Sequence, residues 1–411
     1  MTRKRKERSL GIDRGDERDI VSGRDFDCAE RSTRADCLWE SWRGDISSPS
    51  VAEEIHRYKR ICGIREHLLT LCGKGTSRAR YPSLSFERWL MHAKALERGH
   101  KEVTDPVIPS IYALHLSGSV SEEETVLFSD LIKARQSIME AKYICREVAK
   151  FASESMMSPQ ISTNGANVNS CHRKDGSLEL SCTLLSNIRF SLPSHIVKKL
   201  RLLWRGEGLP STNDNDCRSF NESVFIMLLR YQAIGGPGFQ AALSYPIFHE
   251  LQARGVTAEF FASPLNCFHT VFCSAFPDVD RVFGACCSFF DFNIAGKKER
   301  GGIWEANPPF SVPILNQTAR KIQSLLVEAE NTRIPLQIYV VVPDQWMNVE
   351  GGHSEFWDIL NSSPYLVSRN AILDDSWINI QDKDGHILLK RRKIPTSACM
   401  MVLDSESTGC N

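Results

Sequence analysis

Long apolar runs are missing from this chain: nothing in its 411 residues approaches the ~18 consecutive apolar positions that a membrane span needs. No apolar core follows the opening Met1-Thr2-Arg3-Lys4-Arg5-Lys6 either, so no leader is read there and the protein is expected to be soluble and intracellular. A surplus of one charge is absent as well. The 50 basic and 50 acidic side chains cancel, which argues against a long non-specific nucleic-acid coat; any such site is a local basic patch, suited to a short or single-stranded substrate. The 14 cysteines include no C-x-x-C pair, so neither a zinc ribbon nor a regular disulfide framework is indicated. They read as reduced, mostly buried thiols, and no metal site is expected.

What is present is an ordinary globular composition, 42% apolar and 24% charged, with length enough for two domains. Residues 1–46 are charged and poor in large aliphatics, a composition expected to stay disordered until a partner arrives. Their Arg3 to Arg8 run reads either as a nuclear localisation signal or as a solvated tail. From Ser50 the spacing becomes helical, with Ala52, Ile55, Tyr58, Ile61 and Ile64 on one side and charges on the other. A second helix includes residues 86–90. A third, residues 121–151, opens on Ser121 with Glu124 as its capping-box partner. Residues 47–215 are therefore expected to form a mainly α-helical domain, with a Ser/Asn/Gly-rich loop over 153–177, a helix at 194–204 and a polar break at 213–217.

Residues 216–405 alternate strand-like and helix-like stretches. A buried helix at 219–231 is followed by strand 257–262, helix 267–276, strands 287–292 and 302–306, helix 313–331 and strand 336–342. Stretches 366–373, 377–380 and 398–403 add an antiparallel ending. Short apolar strands joined by crossover helices predict an α/β fold with a largely parallel sheet. In such sheets a ligand sits beyond the carboxyl ends of the strands. The handover after the first strand is Ala262-Ser263-Pro264-Leu265-Asn266, which lacks the Gly-x-Gly of dinucleotide binders. By itself it is a proline-containing turn capped by Ser263 or Asn266.

Asn307-Pro308-Pro309-Phe310 follows the apolar stretch Gly302-Ile303-Trp304-Glu305-Ala306. An Asn, two prolines and an aromatic in that order are what amino-methyltransferases set around the exocyclic amine of a nucleobase. The adenine N6 lone pair is delocalised into the ring; an Asn side-chain carbonyl and a backbone carbonyl, each accepting one N6 hydrogen, aim that lone pair at a methyl sulfonium, while the aromatic stacks on the base. Proximity and alignment then supply most of the barrier reduction. The same four residues also describe a helix start with Pro in its first turn.

The setting decides between them. Through Leu228-Leu229-Arg230-Tyr231-Gln232, Gly238-Phe239-Gln240-Ala241-Ala242-Leu243, Phe261-Ala262-Ser263-Pro264-Leu265-Asn266-Cys267-Phe268, Cys273-Ser274-Ala275-Phe276-Pro277-Asp278, Phe283-Gly284 and Glu305-Ala306-Asn307-Pro308-Pro309-Phe310, residues 221–346 resemble the cap-specific adenosine N6-methyltransferases of the phosphorylated C-terminal-domain-interacting-factor family. The resemblance implies a Rossmann-like class I methyltransferase domain behind a helical region, with S-adenosyl-L-methionine as cofactor and a capped RNA 5′ end as partner in the nucleus.

The resemblance also implies roles. Asn307, Pro308, Pro309 and Phe310 would be catalytic. Ser263, Pro264, Leu265 and Asn266 would run beside the cofactor, their backbone groups and Asn266 reaching its amino-acid moiety. Glu305 would face the sulfonium or the amine. Asp291 either holds the ribose or is a surface-facing strand residue, and Asp278 and Asp280 are weaker candidates for the ribose. Arg88 beside Trp89, and Arg57, Arg60 and Arg65, are candidates for the cap and its phosphates. Where the family has Pro-Glu-Trp-Arg this chain reads Pro343-Asp344-Gln345-Trp346-Met347, so Gln345 and Trp346 would line the substrate pocket without the Arg. The family's acidic position beyond the aromatic is Val312, and an insertion at 294–300 lengthens the approach to the motif. These departures leave open an internal RNA or DNA adenine as substrate, and a silent nucleic-acid binder of the same fold remains a third reading. Trp39 and Trp42 do not make a WW module, which counts against direct recruitment to the RNA polymerase II C-terminal domain.

Overall fold

The computed structural model describes residues 48–71, 86, 90, 105–108, 138–156, 166–204, 214–235, 240–344, 354–372, 377–381, 387–391 and 398–407. Its centre is a five-stranded sheet in the order β5 (Ala258–Glu259), β6 (Gly302–Ala306), β7 (Leu336–Pro343), β11 (Ala398–Asp404) and β8 (Leu366–Ile372). β5, β6 and β7 run parallel, and β11 is antiparallel to both its neighbours. Two parallel bridges, Glu259 to Phe272 and Phe272 to Ala285, widen the sheet beyond β5. The chain therefore starts in the middle at β5, steps outward twice, then crosses back to β6 and β7 on the other side. That reversal between β5 and β6 is the switch point of a Rossmann-like α/β fold, and ligands bind beyond the carboxyl ends of the two strands that flank it.

Alternation along the strands builds a layer on each face. Leu336, Ile338, Val340 and Val342 of β7 join Cys399, Met401 and Leu403 of β11 in one core. The helix α7 (Val312–Thr332) fills this face with Leu315, Ala319, Ile322, Leu325, Leu326 and Ala329, at the spacing of one helical stripe. The intervening residues Tyr339, Val341, Met400 and Val402 point the other way, onto Ile247, Phe248 and Leu251 of α5 (Tyr245–Ala253). A short helix, α8 (Glu355–Asn361), closes the α7 side with Phe356, Trp357 and Leu360. A second small sheet joins β4 (Ala241–Leu243), β9 (Trp377–Gln381) and β10 (Ile387–Arg391).

Ahead of this domain, α1 (Val51–Leu71) packs on α2 (Ile138–Met156) and on α4 (Asp214–Ile234), and α3 (Ser194–Leu203) shares a core with α4. The helix expected from Ser50 is there; of the one at 86–90 only Phe86 and Leu90 are described, both helical and buried, and the first part of 121–151 lies outside the described residues. The expected loop at 153–177 is corrected. Its described part holds the end of α2 and β1 (Val168–His172), which pairs with β2 (Leu178–Cys182) and through it with β3 (Leu185–Leu192) in an antiparallel sheet. β1 is an edge strand with nearly every residue exposed, so its polar composition imitates a loop. The polar break at 213–217 is also corrected, because Asp214, Asn215 and Asp216 form the first turn of α4, where such residues favour a helix start. The domain boundary expected at 215/216 thus falls inside α4.

Two further expectations fail next to β5. No helix forms at 267–276. Val271 and Cys273 face the α7 core while Phe272 faces the opposite core, a period of two that belongs to a strand. The strand expected at 287–292 is instead extended only around Ala285 and turns into a 3-10 helix, Phe289–Asp291. The described crossovers on this half are correspondingly thin, with only α6 (Pro277–Asp280) and a 3-10 turn between the two outer rungs.

Candidate active site

The crevice beyond β5 and β6 is bordered by two segments that sequence had singled out. Phe260 N donates to Glu305 O at 2.8 Å as the strands end, so the residues that follow, Ser263-Pro264-Leu265-Asn266 on one strand and Asn307-Pro308-Pro309-Phe310 on the other, emerge side by side. Two prolines end the ladder at β6 and hold the chain off the sheet until α7 begins. Ser311 N donates to Pro309 O at 2.7 Å, closing a tight turn. Pro308 is buried, whereas Asn307, Pro309 and Phe310 are half-buried. Phe310 packs against the core of Ile247, Phe248 and Tyr339, which Phe268 also borders.

The 263–267 loop is held from inside. Ser263 N donates to Asn266 Oδ1 at 2.7 Å, and the Ser263 hydroxyl donates to Gln240 Oε1 at 2.7 Å. The amides of Leu265 and Asn266 return to Ser263 Oγ, and that of Cys267 to Ser263 O. From α3, Lys199 Nζ donates to Leu265 O at 2.9 Å and to Cys267 O at 2.6 Å. The expectation that this loop offers its backbone to a ligand is therefore corrected: those amides and carbonyls are committed to the protein. What remains for a ligand is the side-chain surface, above all the half-buried Asn266 with its Nδ2 donors.

Beneath the crevice lie two buried carboxyl groups. Glu259 and Glu305 occupy paired positions on β5 and β6. Glu259 Oε1 accepts the amides of Phe268 and His269 at 2.8 and 2.7 Å, while Glu305 Oε1 has no hydrogen-bond partner. Burial, with the neighbouring Glu259 adding to it, pushes the Glu305 carboxyl well above the usual range. Burial raises Glu259 too, against the pull of its two amides and Lys199. Two carboxylates so placed do not both ionise.

Other expected residues are placed elsewhere. Asp291 is exposed on the 3-10 turn beyond the outermost rung, two strand positions from β5, or ~10 Å at the usual strand spacing; the ribose assignment is corrected. Asp278 takes both ends of the Arg230 guanidinium at 3.0 and 2.8 Å, and Asp280 accepts the Tyr231 hydroxyl at 2.6 Å. Both hold the fold. Among the arginines, Arg57 pairs with Glu54 and Asp105, and Arg65 donates to Ala233 O while lying over the Phe86 ring, so these two serve the helix packing and not a phosphate. Arg88, Gln345 and Trp346 lie outside the described residues. The 294–300 insertion precedes β6 and so sits at the opposite end of the strand from the motif.

Sequence reasoning missed Lys199, Gln240, Glu259 and His269. Lys199 had a signal: it interrupts the apolar stripe of Ile196, Leu200 and Leu203, and a Lys in such a stripe needs buried acceptors. His269 is buried, and burial lowers it to about 4, so it stays neutral. Among the described residues no group of three or more His, Cys, Asp and Glu is placed to hold a metal ion, and no helix is long and apolar enough to cross a membrane.

Fold and site together define a Rossmann-like domain of the class I methyltransferase type, with an Asn-Pro-Pro-Phe motif at its switch point. The family model described as Phosphorylated CTD interacting factor 1 WW domain matches residues 199–378. The chain is also 35% identical over 153 residues to proteins of Mus musculus and Homo sapiens, each named mRNA (2'-O-methyladenosine-N(6)-)-methyltransferase. Residues 199–378 are thus similar to the phosphorylated CTD interacting factor family. The match takes in 36% of this chain and 20% of each relative, so the chain spans about a fifth of their length. The expectation that no WW module is present is not borne out: the matching model carries that description, and it falls on 199–378, not on the segment of Trp39 and Trp42.

Proposed function

We propose that this protein is an S-adenosyl-L-methionine-dependent methyltransferase that modifies N6 of an adenosine at or next to the 5′ cap of mRNA, in the nucleus. The observation that carries the reading is the emergence of Asn307-Pro308-Pro309-Phe310 from β6 directly beside the 263–266 loop that leaves β5. The mouse and human relatives, named for N6-methylation of 2'-O-methyladenosine in mRNA, support the substrate class.

The residues present fit the cofactor on two orphaned atoms. Glu305 Oε1 is a buried acceptor and Gln240 Nε2 a buried donor, each without a partner, and both belong to strands or turns that border the crevice. They match the ammonium and carboxylate of an amino acid. Of the loop residues Ser263, Pro264, Leu265 and Asn266, the first three are buried and shape the turn, and Asn266 would reach the same moiety through its side chain; when bound, the cofactor would supply an electrophilic methyl group. On the substrate side, the Asn307 carbonyl accepts one N6 hydrogen and a backbone carbonyl of the motif accepts the other, which turns the nitrogen lone pair toward the methyl. Phe310 stacks on the base and fixes its plane.

The departures at Val312 and Gln345 favour a second reading, in which the same chemistry acts on an internal adenine. Mass spectrometry of nucleosides after incubation with isotope-labelled cofactor separates the two. Label confined to the cap-proximal adenosine of capped RNA supports the first; equal turnover on capped and uncapped oligonucleotides removes the cap; no label on any RNA, with no cofactor binding by calorimetry, overturns the enzyme.

A further inference from the structure

We infer that Lys199, on α3 and outside the sheet domain, is a positioning residue for the cofactor loop; this rests on the cofactor reading given above. Lys199 is 4% exposed, and its ammonium spans two carbonyls that lie one residue apart, Leu265 O at 2.9 Å and Cys267 O at 2.6 Å. An ammonium has three rotatable donors and no acceptor, so it can tie two neighbouring carbonyls at once. The opposite side of the same segment is held by Glu259, which takes the amides of Phe268 and His269. One cation on the carbonyls and one carboxyl on the amides fix residues 265–269 from two directions.

The two clamps differ in origin. Glu259 belongs to the strand that the loop leaves, so this clamp is internal to the sheet. Lys199 comes from a helix whose other buried residues, Ile196, Leu200 and Leu203, pack with β2, β3 and α4. The loop's shape therefore depends on a part of the chain that contributes nothing to the sheet. Without the ammonium, Leu265 O and Cys267 O lose a buried donor, and the turn that presents Asn266 is left with its internal bonds alone. A site group held loosely by ~1 Å loses much of its value.

The test uses the full chain. Lys199→Met is expected to weaken S-adenosyl-L-methionine binding, measured by calorimetry, at least tenfold, and to speed amide hydrogen exchange in 265–269, while the KM for RNA stays within twofold. Lys199→Arg, which restores a buried cation with several donors, is expected to recover most of the affinity, and Lys198→Met, one residue away and exposed, is expected to match the parent. Parent-like affinity in a folded Lys199→Met protein overturns the inference. If Lys199→Met does not fold, Lys199→Gln decides: at least a threefold loss supports the role, and none refutes it. Should the parent itself fail to bind the cofactor, the proposed function fails, and unchanged exchange of 265–269 in the Lys199 variants refutes this inference separately.

Discussion

Glu259 and Glu305 face one another across the parallel strands β5 and β6, both buried to within 2% of complete, with only Glu259 supplied with amide donors. Burial raises both carboxyl groups, and Glu259 further hinders ionisation of Glu305. The folded protein accordingly binds at least one proton here that the unfolded chain, with carboxyl groups near 4.5, has lost by neutral pH. A carboxyl raised on folding contributes stability that is complete below the unfolded value and disappears as pH climbs through the folded one. Asp280, pushed up by burial to about 7, acts in the same sense.

The melting temperature of the parent should fall between pH 5 and pH 8 on this account, and Glu305→Gln should fall less. The amide cannot ionise, so the variant removes one raised carboxyl and relieves the other. We expect Glu305→Gln to exceed the parent at pH 8 by about 3 °C or more, with a smaller gap at pH 5. Parallel pH profiles for the two proteins would exclude a proton held at this pair.

A different kind of burial governs Arg230. Its guanidinium is fully buried, with both nitrogens of one edge on Glu54 at 2.7 Å and the other edge on Asp278, and its charge lies over the Phe276 ring at 5.3 Å. Removing one partner of a buried pair strands the other charge, at a cost of about 3–5 kcal/mol. Glu54→Ala should therefore destabilise the protein by about that amount in denaturant unfolding. Glu355→Ala should cost under about 1 kcal/mol, because its bond to Arg320 is exposed. Equal losses for the two variants would remove the special role of Arg230.

How much of this was legible depended on where an element keeps its signal. β6, β7, β11 and α7 fall within a residue or two of expectation, because each is a long apolar run or stripe with buried partners on every repeat. The rungs at Phe272 and Ala285 were illegible as strands, since two or three paired residues carry no period that a reader can count, and Cys267 to Phe276 holds as many apolar residues as a helix would. The place of the Asn307 motif at the end of β6 was legible because the motif is written in consecutive residues after an apolar stretch. The supports around it were not: Lys199, Gln240 and Glu259 are scattered along the chain, and only the folded geometry unites them on one loop. The resemblance blocks did point there, since Arg230 with Asp278 and Gln240 with Ser263 join separate blocks pairwise.

Asn307 leaves β6 half-buried at the crevice and takes no part in the strand ladder. If its carbonyl aligns the substrate amine, Asn307→Ala should lower methyl transfer by about 10²–10³-fold, the usual cost of losing one aligned hydrogen-bonding group in an active site. Its melting temperature and its affinity for the cofactor should stay at parent values. Asn307→Asp keeps an acceptor and should retain more activity than Asn307→Ala. Parent-like turnover by Asn307→Ala, measured by single-turnover incorporation of label, would take the motif out of the chemistry.

Glycines at two positions give opposite expectations on stability. Gly63 lies within α1, and a methyl added there meets nothing nearer than the Phe151 ring at 4.0 Å. Gly63→Ala should stabilise the protein by about 0.5–1 kcal/mol, because alanine loses less backbone freedom in a helix. Gly301 precedes β6 where the chain passes Ile334 and Pro335, and a Cβ would overlap the Ile334 side chain and lie 2.7 Å from Pro335 O. The carbonyl belongs to the residue that receives the Gly302 amide at 2.7 Å, so the backbone cannot yield without loosening the first rung of β6. Gly301→Ala should cost about 1–3 kcal/mol, and since β6 carries both Glu305 and the Asn307 motif, the loss should bring weaker methyl transfer with it. Denaturant unfolding of the two variants side by side checks both signs, and a Gly301→Ala protein as stable as the parent would show that β6 is not anchored at this end.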